Sequence, residues 1–187
     1  MSSRPPSPVT RRPPQPSSKR QEPFQPGSSP VHLNHRYMVW NNVGIVRCFD
    51  EDVGSIEVEF HDTSIHHGLH IPNTFGHTMA ALSAQSLLLA CPAQEDSPSK
   101  IVCVNFANWD GQKEWSTTLP PGEDALALAV GDSWVAVATS RRLLRLFTTS
   151  GLQKSPISLP DPVVCLAGHL SKLLIAYHTS MGIKSFY

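Results

Sequence analysis

The stretch Leu126-Ala-Leu-Ala-Val-Gly-Asp-Ser-Trp-Val-Ala-Val-Ala-Thr139 carries the fold signal. It consists of two short runs of small and branched residues around a tight polar turn, the pattern of two antiparallel strands. The pattern occurs twice more. Met79-Ala-Ala-Leu-Ser-Ala-Gln-Ser-Leu-Leu-Leu-Ala-Cys91 has it, and so does Val163-Val-Cys-Leu-Ala-Gly-His-Leu-Ser-Lys-Leu-Leu-Ile-Ala-Tyr-His178. A third strand follows the first two copies, at Ile101 to Phe106 and at Leu143 to Thr148. A more polar fourth strand follows at Glu114 to Leu119 and at Ser155 to Leu159. Both fourth strands end in Leu-Pro, at Leu119-Pro120 and Leu159-Pro160, 40 residues apart.

A repeat near 40 residues built from four short strands predicts the blades of a β-propeller. The first strands are the most apolar and the fourth the most polar, as an axial inner strand and a rim strand require. The Trp-Asp pair at Trp109-Asp110 falls in a turn between third and fourth strands, so the repeat departs from the standard WD40 register. Upstream, Arg36 to Trp40 and Ile45 to Phe49 read as strands around the turn Asn41-Asn42-Val43-Gly44. After the acidic turn Asp50 to Gly54, Ser55 to His61 alternates, with Ile56, Val58 and Phe60 on one face and Glu57 and Glu59 on the other.

The expected fold is therefore all-β: a partial β-propeller of about three to four four-stranded blades behind a proline-rich tail. Complete blades are expected at about 79–119 and 124–159, a partial blade at 36–61 and a cut one at 163–178. A closed ring typically takes 4–8 blades, so residues 31–187 read as an incomplete propeller with an early end at Met181-Gly-Ile-Lys-Ser-Phe-Tyr187. An open stack leaves apolar faces and strand edges unpaired, which favours aggregation.

The 187 residues carry 15 basic and 15 acidic side chains, but the balance is uneven. Residues 1–30 hold Arg4, Arg11, Arg12, Lys19 and Arg20 against Glu22, together with nine of the 17 prolines. That composition buries too little apolar surface to offset the entropy of ordering, so 1–30 is expected to be a disordered linker with polyproline character. It lacks the apolar stretch of a signal peptide. No run approaches the ~18 apolar residues of a membrane helix, and no membrane role is expected.

The segment Arg36-Tyr-Met-Val-Trp-Asn-Asn-Val-Gly-Ile-Val-Arg-Cys48, with Val58-Glu-Phe-His-Asp-Thr-Ser-Ile-His-His67, resembles the middle region of a replication-adaptor family. That family comprises the WD-repeat and HMG-box DNA-binding proteins and their fungal chromosome transmission fidelity and minichromosome loss relatives. Leu87-Leu-Leu-Ala-Cys91, Trp115, Ala138-Thr-Ser-Arg-Arg-Leu-Leu-Arg-Leu-Phe147 and Pro162-Val-Val-Cys-Leu-Ala-Gly-His169 extend the resemblance over roughly residues 20–178. It implies a propeller that forms a homotrimer and carries a helical extension for client peptides. It implies an adaptor linking the replicative helicase to DNA polymerase α–primase on chromatin in the nucleus. Chromatin contact would run through flanking WD40 and HMG-box domains absent from this sequence. The pattern departs from the family after His178, which suggests a truncated product without the client-docking extension.

Candidate chemistry is thin. His61, Asp62, His66, His67, His70 and His77 have metal-ligand residue types, yet they run from a strand into a loop without HExxH or paired Cys/His spacing. Hydrogen-bonded loop histidines are the favoured reading over a partner contact or a metal-dependent hydrolase. Ser64 lies near Asp62 and His66, but no nucleophile elbow, Walker loop or dinucleotide fingerprint is present. No catalytic residue, cofactor or metal is assigned, and binding residues stay open. Cys48, Cys91, Cys103 and Cys165 sit in apolar runs and read as buried free thiols. Arg141-Arg142 reads as a solvated hairpin turn, or as a contact for an acidic client or phosphate. Arg11-Arg12 and Lys19-Arg20 read as a split nuclear import signal or as a weak, salt-sensitive phosphate contact. Ser7-Pro8, Ser29-Pro30 and Ser97-Pro98 read as ordinary linker composition or as acceptors for proline-directed kinases. Trp40, Trp109, Trp115 and Trp134 are expected to pack between blades. The two non-enzymatic readings are the replication scaffold and a generic propeller interaction module.

Overall fold

The computed structural model describes residues 20–106, 114–179 and 182–186. Fifteen strands form four antiparallel meanders, with no helix among the described residues. The first sheet contains β1 (His35–Trp40), β2 (Gly44–Phe49), β3 (Ser55–Phe60) and β4 (Leu69–Pro72). The second contains β5 (Met79–Leu82), β6 (Ser86–Cys91), β7 (Lys100–Asn105) and β8 (Glu114–Thr118). The third contains β9 (Ala125–Val130), β10 (Trp134–Thr139), β11 (Leu143–Thr148) and β12 (Ile157–Ser158). The fourth contains β13 (Val163–His169), β14 (Lys172–Thr179) and β15 (Gly182–Phe186). First strands of consecutive sheets lie side by side, β1 by β5, β5 by β9 and β9 by β13. The sheets are thus stacked as propeller blades with their first strands innermost.

Each core cluster lies between two sheets, and strand periodicity divides the residues between clusters. On β6, Leu87 and Leu89 face the first sheet and meet Met38, Val46 and Ile56. Leu88 and Ala90 point the other way and meet Leu128, Val130 and Val137 of the third sheet. On β10, Val135 and Val137 join that second cluster, while Ala136 and Ala138 face Val163 and Leu166 of the fourth sheet. A strand covered on both faces needs apolar residues at every position, which explains the continuous runs. Strands β2 and β3 alternate buried with partly exposed residues because packing covers one face. Burial of each large aliphatic side chain contributes on the order of 1.5–3 kcal/mol.

Several sequence expectations are corrected. The first sheet is a whole four-stranded blade rather than a partial one at 36–61, since Leu69, His70 and Ile71 pair with Val58, Glu57 and Ile56. Strand β4 escapes the pattern because it has only four residues, two partly buried and two exposed, and ends in Pro72. The regular pattern does not stop at His178. Gly182–Phe186 pairs with β14, with Ile183 opposite His178 and Lys184 opposite Tyr177. The expected linker ends before residue 30, because Gln25 is buried and the segment from Gln21 to Ser29 bonds to four sheet residues. Residues 1–19 lie outside the described residues.

Candidate interaction site at the axial opening

The inner strands leave a narrow cleft along the axis of the stack, about 170 Å³, bounded by Val39, Leu82, Leu128 and Leu166. The segment 21–30 lies across it as a strap. Phe24 donates its amide to the Val164 carbonyl at 2.9 Å. The Gln25 side chain behaves like a strand partner: Nε2 donates to the Leu128 carbonyl at 2.8 Å, and Oε1 accepts from the Leu128 amide at 2.9 Å. These bonds satisfy backbone groups of β9 that would otherwise be buried unpaired. Gly27 turns the strap at φ 75°, close against the Trp40 backbone, where a side chain would collide. Ser29 then pairs with Tyr37 on β1.

At one mouth of the cleft, the first hairpin turns of all four sheets converge around an opening of about 210 Å³. Asn41 builds the first turn, accepting from the Val43 and Gly44 amides on Oδ1 and donating from Nδ2 to the Leu82 carbonyl at 2.7 Å. Ser83 Oγ accepts from the Gln85 and Ser86 amides in the second turn. Leu170, at φ 53°, offers its carbonyl to the Asp132 amide and to Trp134 Nε1, both at 3.1 Å. The Asn41–Leu82 bond and the Leu170 bonds tie a turn to the neighbouring blade, while the Ser83 bonds close their own turn. The result is a stiff, mostly polar rim with one large exposed apolar side chain, Leu170. Such a rim suits recognition of a protein segment rather than chemistry on a small substrate.

The sequence candidates are dispersed. His61 Nε2 donates to the Asn41 carbonyl at 3.0 Å, and His66 Nε2 to the Ala84 carbonyl at 2.7 Å. Together they fasten the loop between β3 and β4 to the turn rim. The His66 ring packs on Phe60 and Phe106. His67 is exposed, and His70 lies 3.9 Å from Glu57. His77 is buried, its Nδ1 3.1 Å from Asn73 Oδ1. Burial, then the nearby Lys100 charge, lowers its pKa to about 4. Among the described residues, no group of three or more His, Cys, Asp and Glu converges on a metal position. Ser64 Oγ donates to Asp62 Oδ1, closing a local turn instead of facing a histidine. That bond holds the Asp62 carboxyl below its ordinary range.

Arg141 folds onto the preceding linker and donates to the carbonyls of Pro121 and Gly122, so it is structural. Arg142 is exposed at the hairpin corner, at φ 58°. Trp115 and Trp134 do pack between sheets: Trp115 Nε1 donates to the Thr149 carbonyl at 2.8 Å, and its ring lies on Phe147. Trp40 departs from expectation. It is 54% exposed and stacks only on Tyr37 among the ring contacts, since β1 is covered on one face. Trp109, Ser7, Arg11, Arg12 and Lys19 lie outside the described residues. All four cysteines are free, and Cys48, Cys91 and Cys103 are buried. Sequence reasoning missed Gln25 and its strap. Phe24, an aromatic residue inside a proline-rich tail, was the available signal.

Residues 22–186 match the family described as "Minichromosome loss protein, Mcl1, middle region". The chain belongs to that family. The Mcl1 middle-region match begins at the strap and runs through β15, past the His178 limit expected from sequence. The chain is 51% identical over 164 residues to "WD repeat and HMG-box DNA-binding protein 1" of Xenopus laevis, covering 87% of this chain and 15% of that protein. The Homo sapiens protein of that name is 52% identical, with 87% and 14% covered. "Minichromosome loss protein 1" of Schizosaccharomyces pombe is 33% identical over 141 residues, with 74% and 17% covered. The chain thus spans a small share of each relative. A solved structure titled "Crystal structure of HIRA(644-1017)" superposes at a TM-score of 0.43 with 22% identity, over 57% of this chain and 32% of that one.

Proposed function

We propose that this middle region is a non-enzymatic scaffold of a nuclear DNA-replication factor. In this reading it helps to link the replicative helicase with DNA polymerase α–primase on chromatin, within a homotrimer. The observation that carries the reading is the family match, which extends over the strap and all four sheets. The relatives' names join DNA binding with chromosome maintenance. The stiff turn rim supports a binding role, and the exposed Tyr37–Trp40 pair supports self-association.

The test mixes the whole chain with purified helicase assembly and with purified polymerase α–primase, while light scattering follows its own mass. Co-elution with either complex is the expected result, and a trimeric mass supports the assembly part. Failure to bind either complex at micromolar concentration would remove the linking role.

A further inference from the structure

The strap is fastened at four places, Gln21 to His178, Phe24 to Val164, Gln25 to Leu128 and Ser29 to Tyr37, and the last differs in kind from the others. Phe24 and Gln25 bind the third and fourth sheets through groups without modification chemistry. Ser29 binds the first sheet with its hydroxyl as well as its backbone. Its amide donates to the Tyr37 carbonyl at 2.9 Å, its Oγ donates to the same carbonyl at 3.3 Å, and that Oγ accepts from the Tyr37 amide at 2.8 Å. Pro30 follows directly. Between Gln25 and Ser29 the strap arches over a cavity of about 510 Å³, whose wall includes Glu22, Ser29, Met79 and Leu126. Of the other described Ser-Pro pairs, Ser97-Pro98 sits in a surface loop where Ser97 bonds through its backbone to Gln94, and Ser155-Pro156 lies exposed just before β12. Ser29 is the described Ser-Pro serine whose hydroxyl ties the strap to β1.

We propose that Ser29 is a modification site for a proline-directed protein kinase, and that phosphate there unfastens the strap from β1. In the transfer, Ser29 Oγ attacks the γ-phosphorus of magnesium-bound ATP held by the kinase. The Oγ–P bond forms, and the bond from the γ-phosphorus to the bridging oxygen breaks. ADP leaves with that electron pair, and the hydroxyl proton passes through a kinase carboxylate to solvent. The product carries about two negative charges and no hydroxyl donor. Donation from Oγ to the Tyr37 carbonyl is lost, and the dianion stands beside that carbonyl on a wall shared with Glu22. The seated Ser29 is paired to Tyr37, whereas a kinase reads its acceptor on an extended segment. The kinase therefore captures the lifted strap, and the phosphate holds it lifted.

The test treats the whole 187-residue chain with magnesium-ATP and a purified proline-directed kinase. Mass spectrometry locates the phosphate, and amide exchange follows Tyr37 and Leu128 against the core amide of Val135. Phosphate on Ser29 is expected, with Tyr37 and Leu128 exchanging about tenfold faster and Val135 unchanged. Gln25→Ala supplies the second arm, because it loosens the strap without adding charge. Its Ser29 should accept phosphate about tenfold faster than the parent, with Ser97 unaffected. Absence of phosphate on Ser29 in both chains would overturn the proposal. So would a phosphorylated Ser29 with unchanged Tyr37 and Leu128 protection, or equal Ser29 rates in the two chains.

Discussion

Arg145 grips Glu123 with two parallel bonds, Nε to Oε1 at 2.8 Å and Nη2 to Oε2 at 2.7 Å. The Glu123 side chain is 1% exposed and that of Arg145 11%. The pair joins β11 to the linker that enters the third sheet, and Arg141 holds the same linker by its carbonyls. A bidentate pair at this depth is expensive to break from one side, since the partner stays charged and buried. Glu123→Gln should therefore lower stability by about 3 kcal/mol, read as a shifted urea midpoint. The hydrogen bond from Arg145 holds the Glu123 carboxyl below its ordinary range. Its stabilising contribution is present above the ordinary glutamate range and is lost as pH falls through the lowered folded value. The variant should lack that acid limb.

His77 titrates in the same direction for a different reason. Its folded pKa is lowered to about 4 from an ordinary 6.5, so the folded state keeps the ring neutral while the unfolded chain binds a proton. Stability should be full above about pH 6.5 and fall by about 3 kcal/mol as pH drops through the folded value. Urea titrations at stepped pH check this. His77→Gln should flatten the slope between about pH 6 and about pH 4.5, and an unchanged slope would refute the assignment.

Gly168 lies at a tight approach of the third and fourth sheets. A Cβ there would run into the Val130 carbonyl and meet the Trp134 ring at 3.0 Å. Neither neighbour yields cheaply, because Val130 is the last residue of β9 and Trp134 is bonded to Leu170. Gly168→Ala should cost about 1–3 kcal/mol. Gly54→Ala meets nothing closer than 3.5 Å and should fall within about 0.5 kcal/mol of the parent. Paired thermal melts distinguish the two.

The thiols should react in order of burial. Cys103 is fully buried, and burial pushes its pKa up to about 12. Cys165 is only partly buried. A water-soluble thiol reagent near neutral pH should label Cys165 first and Cys103 only on unfolding, because the thiolate is the reactive form. Early labelling of Cys103 in folded protein would contradict the packing of the second sheet.

The stacked sheets were legible in the residues because they follow from local pattern. Leu87, Leu88 and Leu89 must alternate between faces of a strand, so an unbroken apolar run already implies cover on both sides. The turn at Asn41 is equally local, since the side chain bonds amides two and three residues ahead. The burial of Cys48, Cys91 and Cys103 was legible on the same terms, while Cys165 is only partly buried.

Long-range partners were not. Gln25 is a polar residue in a proline-rich tail, and nothing near it in sequence shows that its amide meets Leu128, 103 positions away. Trp40 looks like core material, yet it lies on the uncovered face of β1. The histidines share a short stretch, but His61, His66 and His77 bond to a carbonyl or carboxamide at three different places, while His67 is exposed and His70 lies beside Glu57. Periodicity along the chain therefore settles strands and faces by itself. Which strand edges and buried polar groups find partners depends on distant segments meeting in space, and that is decided by the assembled fold.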